Sequence, residues 1–94
     1  MRLVLDVENT VTKRDGKVHL DPFEPGNHLV QVGYLDADDP QATLTIKTLD
    51  HNELKDDTGF NKLDIQFALD NTKLLIMHNA QHDLMWLWEC GFKY

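Results

Sequence analysis

Arg2 to Glu8 alternates Leu3, Leu5 and Val7 with Val4, Asp6 and Glu8, the period of a strand. Residues i and i+2 share a face, so Asp6 and Glu8 project the same way, their Cα atoms ~6.6 Å apart. From Asn9 to His28 the pattern breaks. Asp15-Gly16 is a hairpin-type turn and Asp21-Pro22 and Pro25-Gly26 are further breaks, with Val11, Val18 and Leu20 available for a short ribbon. His28 to Asp36 reads as a strand apolar on both faces apart from Gln31, with Gly33 suggesting a close backbone approach. An acidic, proline-containing turn, Asp36 to Pro40, then leads antiparallel into Thr43 to Leu49, a half-buried strand with one wet face. Phe60 to Leu69 suits a short amphipathic helix, with Asn61 as its cap. Lys73 to Met77 is a continuous apolar run, the pattern of a strand buried on both sides. Gln81 to Phe92 forms a second helix with Leu84, Leu87 and Trp88 inward and Gly91 at its C-terminal end.

The expected order is β-β-β-α-β-α, an α/β fold with a mixed sheet in which the fourth strand lies beside the first. A single domain is the most that 94 residues build, and the helix closing at the last residues gives the look of an interrupted one. The lone Cys90 excludes an internal disulfide and a cysteine-based zinc site, which favours a reducing compartment such as the cytoplasm. No apolar stretch approaches the ~20 residues of a spanning helix, and no signal-peptide layout is present, so a membrane partner is not expected.

Charge changes the picture in one respect. A net charge of −7 argues against binding nucleic acid through a basic stripe, yet carboxylates that hold divalent cations can face phosphates through those cations. Lys13, Arg14 and Lys17, at the tip of the irregular stretch, are the cationic cluster of an acidic chain; they fit a solvated turn or a loop that touches a phosphate backbone.

With the fourth strand beside the first, Asp6 and Glu8 reach the same sheet edge as Asn79 and Asp83, which follow the apolar run Leu74 to Met77. Each cluster alone is weak, since an Asp-x-Glu pair is commonly surface charge and Asn79 and Asp83 fit a turn and a helix cap. Together they put three acids at the ends of apolar strands, where folding does not require them. Such a set is relieved by a hard cation, Mg²⁺ or Mn²⁺, and two such ions support in-line phosphodiester hydrolysis. His78 and His82 are four apart, a metal-binding spacing only on a helix.

Leu5-Asp6-Val7-Glu8-Asn9-Thr10 resembles the first motif, D-x-E, of the DEDD superfamily of 3′-5′ exonucleases, and His78-Asn79-Ala80-Gln81-His82-Asp83 resembles its second, H-N-x-x-x-D. With Asp15-Gly16, Pro22 to Pro25 and Asp83 to Phe92, the whole of 1–94 is similar to the N-terminal proofreading domain of phage family A DNA polymerases. The resemblance implies a ribonuclease-H-like three-layer fold with a mixed sheet, truncated before its last strand and helix. It implies two metal ions, Mg²⁺ or Mn²⁺, with Asp6 bridging both, Glu8 on the ion that carries the attacking water, and Asp83 on the second. Asn79 would bond the terminal nucleotide and Thr10 would contact its sugar or phosphate through backbone, while His82 replaces a commoner aromatic. The implied partner is the 3′ end of single-stranded DNA, and the implied location is the cytoplasm of a bacterial or phage-infected host. A Tyr or His followed by a fourth Asp completes the family's site and is absent from these 94 residues. The rest of the exonuclease or polymerase would supply it, and the isolated chain is expected to bind metal weakly and cleave slowly or not at all. The competing expectation is a non-catalytic ribonuclease-H-like interaction module.

Overall fold

A computed structural model describes residues 1–49 and 56–94, with side chains for all of these except 56–60. The chain runs β1 (Arg2–Asn9), β2 (Thr12–Arg14), β3 (Lys17–His19), β4 (Leu29–Asp36), β5 (Thr45–Thr48), α1 (Asp56–Asp70), β6 (Leu74–Ile76) and α2 (Ala80–Glu89). The main sheet has the order β5-β4-β1-β6, and β2 and β3 form a separate hairpin. β4 is antiparallel to both β1 and β5, and β6 is parallel to β1, so the sheet is mixed. With the hairpin set aside, this is the order read from the sequence. The expected ribbon is present too. Asp15 and Gly16 both take positive φ, 54° and 76°, the pair of conformations a two-residue type I′ turn demands.

Alternation decides what the sheet buries. Leu3, Leu5 and Val7 form one core with Leu29 and Val32 of β4, Ile65, Ala68 and Leu69 of α1, and Trp86, Leu87 and Phe92 from α2 and its exit. Both helices therefore cover the same face of the sheet. On the opposite face Val4, Ile46, Leu74 and Ile76 are exposed. They belong together because Val4 pairs with Ile76, Arg2 with Leu74, and Gly33 with both Asp6 and Ile46. Among the described residues the architecture is thus two layers where three were expected. It also corrects the reading of Leu74 to Met77 as buried on both sides: an unbroken apolar run fits double burial but does not compel it.

The helices differ from expectation in detail. α1 begins at Asp56, four residues before the expected start, so Asn61 lies inside it and donates its amide to the Thr48 carbonyl at 2.8 Å instead of capping. Lys47 of β5 reaches Asp64 of α1 at 3.0 Å, a second tie between helix and edge strand. In α2 the inner face is Asp83, Trp86 and Leu87, whereas Trp88, expected inside, is 72% exposed. Gly91 ends the helix as expected. Its φ of 87° allows the amides of Gly91 and Phe92 to bond the carbonyls of Trp88 and Leu87, the Schellman arrangement, which returns Phe92 to the core. Gly33 leaves ordinary van der Waals room for a Cβ rather than a close approach; its effect is to put no side chain beside Asp6 on the open face.

The segment between β1 and β4 is pinned by a buried amide. Asn27 donates to the carbonyls of His19 and Asp21, each at 3.0 Å, and accepts from the Thr12 hydroxyl. Replacing Asn27 by alanine would leave those groups without their partner and is expected to cost about 1–3 kcal/mol, read as a lower urea midpoint at unchanged slope.

Candidate functional site

β1 delivers two acids on its exposed face, and the loop after β6 delivers the third by a different route. Asp6 and Glu8 stand on the open side of the strand, while Val7 between them anchors the backbone in the core. β6 pairs only with residues 2–4 of β1, so the part of β1 carrying the acids runs past the end of β6. There the chain turns through Met77 to Asn79 into α2. Asn79 is the N-cap residue, exposed and making no side-chain capping bond, and its carbonyl receives the Asp83 amide at 3.0 Å.

One turn into α2, Asp83 faces inward. Its side chain is 1% exposed, and its Oδ2 has no hydrogen-bond partner in the described structure. A buried, unpaired carboxylate oxygen is costly, and the ordinary response is to hold a proton. Burial pushes the Asp83 carboxyl up to about 6; the charge of Asp6 adds to the rise, and Glu8 adds less. His82 and His78 pull the other way. The three acids singled out in the sequence are therefore near enough to feel one another, with two histidines beside them. Among the described residues, no three His, Cys, Asp or Glu side chains form a ready-made cation cluster, because Asp83 is enclosed while Asp6 and Glu8 face outward. The fit to a divalent cation rests on the orphaned oxygen of Asp83 and on donors that are all hard oxygens.

His82 is held rather than free. Its Nε2 lies 2.9 Å from the Asn9 side-chain oxygen, and the amide group of Asn9 donates to the carbonyls of Thr10 at 2.7 Å and Leu20 at 3.2 Å. Asn9 is the residue that sequence reasoning passed over. It directly follows Glu8, and its position at the end of the acidic strand was the available signal. Thr10, expected to reach substrate through backbone, is committed within the chain: its amide bonds the His28 carbonyl at 2.9 Å, its hydroxyl receives the His28 amide at 2.8 Å, and its carbonyl receives Asn9. It is a fastener for the base of the 10–28 segment.

Trp86 completes the frame by donating its indole N–H to the Leu20 carbonyl at 3.0 Å, so α2 and the 10–28 segment are joined beside the acids. Cys90 takes no part. Burial raises its thiol to about 11, against the pull of Lys62, which leaves it protonated and unreactive at neutral pH. No helix among the described residues is long and apolar enough to cross a membrane. Comparison of the chain with protein-family models, with curated proteins and with solved structures finds no match.

Proposed function

We propose that this chain is part of a metal-dependent 3′-5′ exonuclease domain of the ribonuclease-H-like kind, acting on the 3′ end of single-stranded DNA as the proofreading segment of a DNA polymerase. The observation that carries the reading is the enclosed Asp83, with an unpartnered oxygen and a proton affinity raised first by burial and then by the charge of Asp6, with a smaller part from Glu8. β1 and the start of α2, far apart in sequence, bring these acids near enough to influence one another's charge, and nothing in the packing of the core calls for a carboxylate at Asp83. The strand order β5-β4-β1-β6, with the last strand parallel to the first, supports the fold assignment.

In this reading Asp6, Glu8 and Asp83 would hold two Mg²⁺ or Mn²⁺ ions. Bound ions of that kind lower the pKa of water and stabilise the leaving oxygen of a phosphodiester. The chain's own groups do the rest. Asn79, exposed at the helix start, offers its amide to the terminal nucleotide. His82, oriented by Asn9, stands beside the acids and contributes a positive charge there when protonated. The reading requires a fourth carboxylate in addition to these three to complete the site.

The second reading, a non-catalytic interaction module, draws on the exposed apolar face of Val4, Ile46, Leu74 and Ile76. Calorimetric titration with Mn²⁺ separates the two. The exonuclease reading expects weak binding that Asp6→Asn reduces about ten-fold or more, the scale on which metal sites respond to lost support. Identical titrations of the two proteins would favour the module.

A further inference from the structure

We infer that the β2–β3 hairpin is a fixed docking arm for single-stranded DNA, gripping the backbone a few nucleotides away from the end that enters the acidic site. The inference rests on the exonuclease reading for its choice of ligand, but on different residues.

Three of the chain's nine basic residues, Lys13, Arg14 and Lys17, lie on this hairpin. Register divides them. Arg14 pairs with Lys17 and Thr12 with His19 on one face, while Lys13 pairs with Val18 on the other. Arg14 is spent, because its guanidinium lies 3.2 Å from the buried Glu24, which also has His19 at 3.7 Å. That clamp sets the hairpin's angle against the returning loop. Lys13 and Lys17 are exposed and make no ion pair among the described residues, although the chain carries sixteen acids. They leave two unpaired cations beside a tight turn, one on each face, which a phosphate chain crossing the tip of the hairpin can meet.

The hairpin does not swing freely. Its base is fastened by Asn27, by Thr10 to His28, and by the Leu20 carbonyl, which accepts from both Asn9 and Trp86. Asn9 is also the partner of His82. Lys13 follows Glu8 by five residues, so chain geometry keeps their Cα atoms within about 18 Å. A strand whose terminus lies against Asp6 and Glu8 therefore has no more than about that distance to cover to reach the hairpin.

Apolar exposure selects a single strand over a duplex. Val11 and Leu20 continue the Lys13–Val18 face by strand alternation, and Val11, Val18 and Leu20 are each about half exposed or more, with Phe23 exposed on the loop that follows. Unpaired bases have apolar faces to lay on such side chains, and duplexed bases do not.

The test is fluorescence anisotropy of a labelled oligothymidylate without divalent cations, on the 94-residue chain and on Lys13→Ala/Lys17→Ala, from 0.05 to 1 M salt. Each lost phosphate contact lowers the salt slope by about 0.7, so the double variant should lose about 1.4 and bind about 25-fold more weakly at 0.1 M than the parent. Circular dichroism should be unchanged, since both lysines are exposed. An unaltered slope and affinity in the double variant, failure of the parent to bind the oligonucleotide, or equal affinity for a blunt duplex of the same length would overturn the arm. Asp6→Asn serves as the separate control. Its titration with Mn²⁺ reports on the acidic site, and its metal-free DNA binding reports on the arm, so either can fail while the other stands.

Discussion

Replacing Trp86 by alanine is expected to unfold the domain or leave it close to unfolding at 37 °C. The side chain is fully buried between the sheet and α2, and removing so large a group from a core costs about 3–5 kcal/mol. A domain of this size has about 5–14 kcal/mol in total by the usual allowance per residue, and toward the lower end of that range the loss removes most of it. Trp86→Phe separates packing from hydrogen bonding. It retains most of the volume and loses the bond to the Leu20 carbonyl, at about 1 kcal/mol. Thermal denaturation should therefore rank parent, Trp86→Phe and Trp86→Ala in that order with a large gap before the last. Faster amide exchange across 10–28 in the phenylalanine variant would show that the bond tethers that segment. A Trp86→Ala protein with a melting point near the parent's would mean that the core closes without this side chain.

The second large effect concerns pH. Asp83 keeps its proton to about pH 6 in the folded chain, against an ordinary value of 3.8. Between these values the folded state binds more protons than the unfolded state, so unfolding free energy falls as pH rises. The contribution is fully present below about pH 4 and gone above about pH 6. Its size is on the order of 1–3 kcal/mol, the lower figure allowing for solvent screening. Asp38 slopes the opposite way, since Arg2 holds its carboxyl below the usual range and that benefit is lost only as pH falls further. In metal-free buffer, stability should therefore decline from pH 4.5 to 7. Asp83→Asn should flatten that decline and raise stability at pH 7.5. About 10 mM Mn²⁺ should stabilise the parent at pH 7.5 by mass action and leave Asp83→Asn unmoved. A parent whose stability rises steadily from pH 4.5 to 7, with or without the ion, would mean that Asp83 is not enclosed.

Much of this was legible in the sequence because alternation and turn chemistry are local. The type I′ turn at Asp15-Gly16, the shared face of Asp6 and Glu8, the Gly91 stop and the order of the main elements all depend on nearest neighbours. What was not legible depends on which face of an element meets another. Trp88 and Leu74 are as apolar as the buried Trp86 and Leu3, and what exposes them is the side they face: Trp88 lies off the inner face of α2, and Leu74 lies on the sheet face that the helices leave uncovered. The same holds at the site. Asp83 could be picked out as an acid near a helix start, but its enclosure follows from α2 turning that residue inward beside Trp86 and Leu87. Thr10 stands out in the sequence by its nearness to Glu8 and Asn9 does not stand out at all, whereas the bonds that give both their places reach Leu20, His28 and His82, eleven to 73 positions away.

The bare face of the sheet sets the conditions under which this protein can be handled. Charge repulsion is what keeps Val4, Ile46, Leu74 and Ile76 of one molecule away from those of the next, and that repulsion vanishes at the isoelectric point near 4.9. Asp83 makes the metal-free fold firmest in the same acidic range. Conformational stability and colloidal stability therefore run in opposite directions along the pH axis: in metal-free buffer the best-folded solution is the one most prone to precipitate.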